Sequence, residues 1–406
     1  MRIRETPIES APRIQETTLY LGRRSMPSRD GKGPSGFDVH FFQDLAHDRL
    51  AMAITCGDLA SDVPLLARVH SSCLTSECLL GLDCDCADQL QAALGMMREE
   101  GAGVLFYLMQ EGRGAGLTAK ARDRMIVQAS GNQKTTFEAY AEMGLPADLR
   151  RYGILAPMAR MLGLRASLRL LTNNPDKASA VIKVLAEENI RVDRTERIHG
   201  STSPFNSDYL IAKHDSGHAF FPECEVAGAL PPLPVRVLPP IALRGDRHRV
   251  LTASYFLPIA SSRTQPSGSS DAFDGGCESP SNLDCTGVEW VRLSVIFDGE
   301  RARESVLLSH PKTCIEQIEA EASLEAGEIK SISLSLLDRL PGMESPARLA
   351  LGGALTRIRD AGHGSVAVHF ADRAGLVGDP TTGIADIAAV GESKLGSPSA
   401  GHRGAR

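Results

Sequence analysis

The sequence lacks the features of a membrane or exported protein. It has no apolar run of about 18 residues or more, which a membrane-spanning helix needs. Its first residues, MRIRETPIESAPRIQE, do not contain the apolar core of a secretory signal peptide. We therefore expect a cytoplasmic protein that does not contact a membrane.

The sequence also has little excess of one sign of charge over the other. The formal net charge is only -6 over 406 residues, with 44 basic and 50 acidic side chains. So small an imbalance gives no long-range attraction to nucleic acid or to an anionic membrane. We expect no nucleic-acid partner, and any nucleotide site must use a local group of basic residues.

The nine cysteines do not show the pattern of a disulfide framework. Their number is odd, and four of them lie between Cys73 and Cys86. Clustered thiols of this kind indicate a reducing compartment and metal binding rather than disulfides. We predict that Cys78 and the five cysteines outside the cluster are inert core or loop thiols.

The run RVHSSCLTSECLLGLDCDCADQL, which starts at Arg68, carries the strongest chemical signal. Cys84 and Cys86 are two residues apart, so both side chains point to one side of an extended segment. A turn through Leu80–Gly81 can bring Cys73 back to them. Three thiolates without a fourth protein ligand suit a tetrahedral zinc with one open position, where water can be activated for hydrolysis. The alternative is three buried structural thiols.

A glycine-rich segment, QEGRGAGL, lies between a buried strand and a predicted helix. Its three glycines let the backbone approach a ligand closely, and the start of the helix favours an anion. Arg113 adds a planar pair of donors for phosphate. A plain tight turn would have the same local sequence.

Two further segments carry polar residues at the ends of predicted elements. In LLTNNPDK, Thr172 ends a strand and Lys177 begins a helix, where both can reach a ligand. In GLPADLRRY, Asp148 and Arg150 lie two residues apart. The alternatives are a capped helix with an exposed lysine and a surface ion pair of little energetic value.

Strand-like and helix-like patterns alternate from about residue 48 to 220, which predicts an α/β domain with a largely covered sheet. Asp88–Glu100 is predicted to be a helix that buries Leu90, Ala93, Leu94 and Met97. A second helix is predicted at Leu149–Leu162, with Ile154, Leu155, Met158, Met161 and Leu162 facing the core. Trp290 is predicted to pack in a core of the later region.

The predicted domains follow from shifts in composition. Stretches rich in proline, serine and glycine separate two patterned regions. The resulting units are an N-terminal arm (1–45), a catalytic domain (46–225), a linker with a possible strand (226–286), a smaller α/β or α+β domain (287–391) and a disordered tail (392–406).

Taken together and in this order, the motifs closely resemble those of the GTP cyclohydrolase II family. The resemblance covers roughly residues 48–220 and implies a layered mixed sheet with flanking helices. No family is apparent for the C-terminal region. The matching segments are ARVHS-x-C, C-x-C-x-x-QL, QEGRG-x-GL, the T-x-EA of Thr136–Ala139, LTNNP-x-K, and N-x-x-YL-x-x-K from Asn206 to Lys213.

The resemblance implies a role for each matching residue. It makes Cys73, Cys84 and Cys86 the zinc ligands and Asp148 a proton acceptor. Arg150 matches a residue assigned as nucleophile toward the α-phosphate. Because a guanidinium keeps its proton, stabilisation of charge on phosphorus is physically easier. The positions implied around GTP are Arg68, Val69, His70, Ser71, Ser72, Gln89, Glu111, Gly112, Arg113, Thr136, Thr172 and Lys177.

The reaction implied is hydrolytic opening of the imidazole ring of GTP at C8, with release of formate and pyrophosphate, at the start of riboflavin synthesis. The resemblance also implies Mg²⁺ on the triphosphate and a homodimer. Three thiolates acidify a zinc-bound water less than three histidines do, so a nearby group must assist proton transfer.

Two positions depart from the family pattern. Ser72 replaces a glutamate, which removes a carboxylate from the guanine edge. Met125, three residues before Gln128, replaces a tyrosine that can orient water. We hypothesise that Met125 impairs loss of the formyl group and leaves a formamidopyrimidine nucleotide, although a benign core methionine is the alternative.

Other functions remain open from the sequence. Ser72 and Met125 are compatible with a GTP-binding regulatory module that has lost turnover, whereas the retained cysteines argue against it. We expect no dihydroxybutanone-phosphate synthase-like domain before the motifs, and an unrecognised region follows them. That arrangement is compatible with a specialised pathway instead of riboflavin synthesis.

Overall fold

The computed structural model describes residues 17–27, 34–219, 233–243, 246–260, 288–322, 331–335, 337–340 and 345–370. The predicted tail at 392–406 and much of the predicted linker lie outside these residues. None of the helices in the described part of the chain has the length and apolar character needed to cross a membrane.

The first half of the described chain forms a mixed seven-stranded sheet with helices on it. The strand order is β1-β2-β3-β5-β4-β6-β7, with the first four antiparallel and the last four parallel where they pair. The strands are β1 (Thr18–Pro27), β2 (Pro34–Asp44), β3 (Arg49–Cys56), β4 (Leu65–Ser71), β5 (Gly103–Leu108), β6 (Leu168–Leu171) and β7 (Val192–Glu196).

Seven helices accompany this sheet in the described residues. They are α1 (Leu74–Glu77), α2 (Cys86–Glu100), α3 (Leu117–Ala129), α4 (Thr136–Glu142), α5 (Leu155–Met161), α6 (Pro175–Ala186) and α7 (Ser207–Asp215). Helix α2 buries Leu90, Ala93, Leu94 and Met97, the face that its apolar spacing predicts. Helix α6 starts as predicted, because the Asn174 side chain accepts a hydrogen bond from Lys177 N and Pro175 occupies the first turn.

The second sheet has six strands in the described residues, in the order β12-β13-β11-β10-β9-β8. Its elements are β8 (Ile241–Leu243), β9 (Asp246–Ala260), β10 (Val288–Asp298), β11 (Arg303–Ser309), α8 (Ile315–Ala322), β12 (Ser331–Leu334), α9 (Pro346–Ala361) and β13 (Ser365–Phe370). The predicted fold class, an α/β fold with a smaller additional unit, is confirmed.

Two predictions differ from the structure, and the possible strand in the predicted linker is present. Residues 18–27 and 34–44 are not a loose arm but the antiparallel strands β1 and β2, and the buried Phe37, Val39 and Phe42 of β2 gain their cover from neighbouring elements of the sheet. The possible strand within the predicted linker corresponds to the long strand β9 (Asp246–Ala260). The predicted helix at Leu149–Leu162 begins only at Leu155, and Met161 is 42% exposed. Residues 149–152 have no regular secondary structure and residues 153–154 form a turn. Leu149 N donates to Arg113 O at 2.9 Å.

One apolar core joins the two sheets. Leu74, Leu79, Leu117 and Met125 from the first unit pack in the same cluster as residues of the second sheet, including Leu257 and Leu293. All six are at most 1% exposed. The second sheet therefore covers helix α3 and the segment between Cys73 and Cys84 directly.

Candidate metal and nucleotide site

The fold brings the three predicted metal ligands together. Strand β4 ends just before Cys73, and Cys86 is the first residue of α2. Between them the chain reverses at Leu80, which has a φ of 59°, and Gly81, whose N donates to Thr75 O at 2.8 Å. The three sulfur atoms lie within 4.8 Å of one another. Such a group of soft thiolate donors fits zinc, and no fourth histidine, cysteine or carboxylate from the described part of the chain belongs to the cluster.

A buried lysine lies against the cysteine cluster. Lys120 Nζ lies 2.9 Å from Cys73 Sγ and donates to Glu111 Oε1 at 2.8 Å. Burial lowers the pKa of Lys120, but the charges of Cys73 and Glu111 outweigh burial and hold it well above its ordinary value. Hydrogen bonds from the Cys84 and Cys86 thiols lower the pKa of Cys73. A divalent ion on three thiolates carries a net negative charge, which the Lys120 ammonium can balance.

A second buried carboxylate fixes the backbone at Cys73. Glu77 Oε1 accepts from Cys73 N at 3.0 Å and lies 2.8 Å from His70 Nε2, and its other oxygen accepts from Tyr107. Burial lowers the pKa of His70 below its ordinary value. His70 is predicted to contact GTP; its Nε2 is engaged with Glu77, whereas its Nδ1 is buried without a hydrogen-bond partner.

Positive side chains converge beside the cysteines. Arg68 donates to Gln89 Oε1 at 2.6 Å, and Lys177 Nζ donates to Val69 O at 2.9 Å. Burial, followed by the charges of Arg150 and Arg68, lowers the pKa of Lys177 well below its ordinary value. Mutually repelling buried cations of this kind favour a bound polyanion such as a triphosphate, because the anion relieves both repulsion and desolvation.

The glycine-rich turn lies next to the Asp148–Arg150 segment. A Cβ atom on Gly114 would lie 2.8 Å from the carbonyl carbon of Leu149, so a side chain at this position would clash. Arg150 Nε lies 2.9 and 3.0 Å from the two Asp148 carboxylate oxygens. Burial alone would raise the pKa of Asp148, but the hydrogen bonds from Arg150 hold it below its ordinary value.

The remaining predicted positions differ in whether their side chains already have interaction partners. The Arg113 guanidinium lies 4.2 Å from the centroid of the Phe137 ring. Thr136 Oγ1 donates to Asp123 Oδ2 at 2.8 Å, and Thr172 Oγ1 accepts from Asn174 N at 3.2 Å. The hydroxyls of Ser71 and Ser72 are buried without a hydrogen-bond partner. The Ser72 hydroxyl can thus form a new hydrogen bond at the position where the family pattern has a carboxylate.

The expected anion site at the start of α3 is wrong. That N-terminus is already filled by Glu304 of β11, whose Oε1 accepts from Thr118 N at 2.8 Å. Glu304 is 6% exposed, and burial raises its pKa to about 7. A phosphate cannot occupy the same donors, and no local sequence pattern indicates this because Thr118 and Glu304 are 186 positions apart.

Met125 does not reach the cysteines. It is fully buried in the core shared with the second sheet, and its sulfur lies 3.5 Å from Leu238 N. Helix geometry explains the difference, because Arg124, four residues after Lys120, shares the Lys120 face whereas Met125 lies about 100° further round. Arg124 instead lies beside the cluster, with Nε 3.1 Å from Asp83 Oδ2. The position of Met125 therefore favours the alternative of a core methionine over an effect on loss of the formyl group.

We predict that Met125→Leu leaves the ratio of formate to pyrophosphate unchanged, because the substitution conserves core volume. Met125→Tyr should lower the melting temperature without raising that ratio, since the larger side chain buries a hydroxyl in an apolar core. Enzymatic assay of both products together with thermal denaturation tests this. A stable tyrosine variant that releases more formate would return Met125 to the catalytic site.

Sequence reasoning missed several residues at the site. Lys213 Nζ binds Asp85 Oδ1 at 3.0 Å and lies 4.3 Å from the centre of the Tyr209 ring. Burial, then the charges of Lys213, Arg113 and Arg150, lowers the pKa of His218 to about 4. Tyr209 and Lys213 belong to the motif N-x-x-YL-x-x-K, to which the sequence alone assigns no role at the site. Lys120 lies in the first turn of the helix that follows the glycine-rich segment, and this position could have indicated it as a site residue.

Comparisons with known proteins agree with this arrangement. A family model described as GTP cyclohydrolase II matches residues 23–198. A GTP cyclohydrolase-2 of Pseudomonas putida (strain W619) is 43% identical over 183 residues, 45% of this chain and 85% of that protein. One from Saccharophagus degradans is 38% identical over 205 residues, 50% and 96% of the two chains. One from Teredinibacter turnerae is 40% identical over 202 residues, 49% and 94%. The family match ends before the second sheet begins.

Proposed function

The chain belongs to the GTP cyclohydrolase II family, and from this we propose that it is a zinc-dependent hydrolase that opens the imidazole ring of GTP. The observation that carries the proposal is the cysteine cluster with its sulfur atoms within 4.8 Å of one another, set beside buried cations that suit a triphosphate. A zinc ion held by the cysteines would supply a Lewis acid that acidifies the water attacking C8.

The triphosphate is proposed to bind at Arg68, Lys177, Arg113 and Arg150. Arg68 is buried in the middle of β4, and Lys177 lies in the first turn of α6, just after the carboxyl end of β6, where α/β sheets bind ligands. Among the described residues the cysteines are the single cluster of three or more metal-ligating side chains. We therefore propose that Mg²⁺ enters with the phosphate oxygens as its ligands.

Lys120 is proposed to stabilise negative charge at the cysteines. Its ammonium lies 2.9 Å from Cys73 Sγ and is held by Glu111 at 2.8 Å. The Glu111 carboxylate is fully enclosed, and burial raises its pKa. The pair can therefore hold a proton close to the reacting centre without exposing it to solvent.

Asp148 and Arg150 are proposed to change partners when GTP binds. In the structure Arg150 covers both Asp148 oxygens and lowers the carboxyl pKa, which makes Asp148 a weak base. A phosphate would compete for the guanidinium, and the released carboxylate would then accept a proton. Arg150 would at the same time stabilise charge on the α-phosphate as pyrophosphate leaves.

Incubation of the zinc-loaded protein with GTP tests the proposed function. We expect loss of GTP absorbance and one pyrophosphate per GTP. Because Met125 lies outside the site, we propose that formate is also released. Mass spectrometry distinguishes this product from a nucleotide that retains the formyl group, and GTP that binds but stays intact would indicate a regulatory module instead.

We predict that Arg150→Ala lowers kcat by about 10²- to 10³-fold, because charge stabilisation at phosphorus is lost in the transition state. The KM for GTP should rise less than kcat falls. Arg151→Ala is the matched control, since this neighbouring side chain is exposed and lies near His47. Steady-state kinetics of both variants decide, and a kcat for Arg150→Ala within about threefold of the parent would rule out the role.

A further inference from the structure

Helix α3 begins without a side-chain cap from its own segment. Its N-cap is Gly116, which has no side chain to accept from the first backbone N–H groups. These donors need partners, since the first turn of a helix has none within the helix. The partner is Glu304, which accepts from Thr118 N at 2.8 Å and also from Leu117 N.

Water cannot replace this carboxylate. Leu117, Thr118 and Glu304 are 1%, 3% and 6% exposed. A buried N–H group that loses its acceptor keeps the full cost of desolvation. The start of α3 is therefore held at one place on the second sheet, and Glu304 comes from a region that the family match does not cover.

Helix α3 carries the lysine that lies against the metal cluster. Lys120 follows Thr118 by two residues, and its Nζ contacts Cys73 Sγ and Glu111 Oε1. A small rotation or shift at the start of the helix would move this ammonium away from both. The position of Lys120 thus depends on the contact between Thr118 and Glu304.

The same second sheet also holds the segment that contains the cysteines. Leu82 N donates to Pro258 O at 2.9 Å, and Ala260 N donates to Leu80 O at 3.1 Å. On α9, Arg348 Nη2 donates to Glu77 O at 2.8 Å. One sheet is therefore the common support for the lysine and for the sulfur ligands, which sets the distance between them.

We propose that Glu304 is a positioning residue of the metal site, which holds helix α3 so that Lys120 stays against Cys73. The second sheet is then part of the catalytic machinery rather than an independent appended domain. The inference rests on the proposed function only in taking the three cysteines as metal ligands.

The test uses the full-length protein loaded with Co²⁺, which reports thiolate ligation by its charge-transfer absorption. We expect Glu304→Ala to weaken cobalt affinity by about 10- to 100-fold, as loss of a group that supports metal ligands does, and to shift the band. Glu304→Gln should retain near-parental affinity, because its amide oxygen can accept the same N–H bonds. Glu300→Ala, at an exposed turn of the same hairpin, is the matched control.

Unchanged cobalt affinity and spectrum in a folded Glu304→Ala variant would overturn the proposal. If the Glu304→Ala variant is insoluble, Glu304→Asp provides the test, since the shorter side chain keeps its charge but cannot reach Thr118 N. An unaltered cobalt spectrum of Glu304→Asp would also contradict the proposal. A parental protein that binds cobalt but leaves GTP intact would contradict the proposed function alone. Weak cobalt binding by Glu304→Gln would show that the charge, and not the hydrogen bond, holds the helix.

Discussion

Replacing Cys84 by serine is expected to remove zinc from the protein and to lower GTP turnover by about 10³-fold or more, because activation of water at the metal is lost. Cys84 Sγ lies 3.5 Å from Cys73 Sγ in the middle of the proposed ligand set. A serine hydroxyl stays protonated near pH 7 and is a much poorer ligand for zinc than a thiolate. Metal analysis and initial rates on the same sample give the two readouts.

Cys78→Ser is the matched control for this prediction. Cys78 is equally buried and lies in the same segment, but its sulfur packs in the core shared with the second sheet. Burial raises its pKa to about 12, so it remains a thiol. The control should keep one zinc per chain and lose only stability. A Cys84→Ser protein with full zinc and full turnover would contradict the proposed function.

Ending the chain at residue 225 is expected to abolish cooperative folding. The truncation removes the second sheet and exposes Leu74, Leu79, Leu117 and Met125, which are at most 1% exposed in the whole structure. Each large apolar side chain contributes about 1.5–3 kcal/mol when fully buried, so the four together lose about 6–12 kcal/mol. That loss is comparable with the whole stability of a typical domain, about 5–15 kcal/mol.

Polar contacts add to the effect of the truncation. Without β11 the first N–H groups of α3 lose Glu304, and without β9 the side chain of Gln128 loses both of its hydrogen bonds to Phe256. Circular dichroism during heating and size-exclusion chromatography measure the outcome. The control ends at residue 370, after β13, and should unfold as cooperatively as the full chain. A monomeric 1–225 protein with a sharp transition and full activity would show that the second sheet is dispensable.

Patterns that depend on near neighbours were predictable from the sequence. The buried face of α2 follows from helical spacing, and the start of α6 follows from Asn174 and Pro175. The convergence of Cys73, Cys84 and Cys86 follows from their spacing and from the turn at Leu80–Gly81. In each case the interacting atoms are close along the chain, so local geometry leaves few arrangements.

Misplaced predictions involved partners distant in sequence. The strands β1 and β2 were predicted to be a loose arm because the residues that bury their apolar side chains come from other elements of the sheet. Met125 was predicted to be catalytic because its position was identified by its spacing from Gln128, and not by whether it shares a helix face with Lys120. The anion expected at the start of α3 proved to be Glu304, supplied by a strand that no local pattern connects to the glycine-rich turn.

The order of amino acids sets the donor atoms that are available: which thiols, guanidiniums and carboxylates are present, and which stretches can fold as strands or helices around them. Tertiary structure alone decided which of these groups face one another, and that the second sheet supports both α3 and the cysteine segment. The physical reason is that burial and hydrogen-bond satisfaction depend on every neighbour in space, and residues such as Thr118 and Glu304 become neighbours only once the chain has folded.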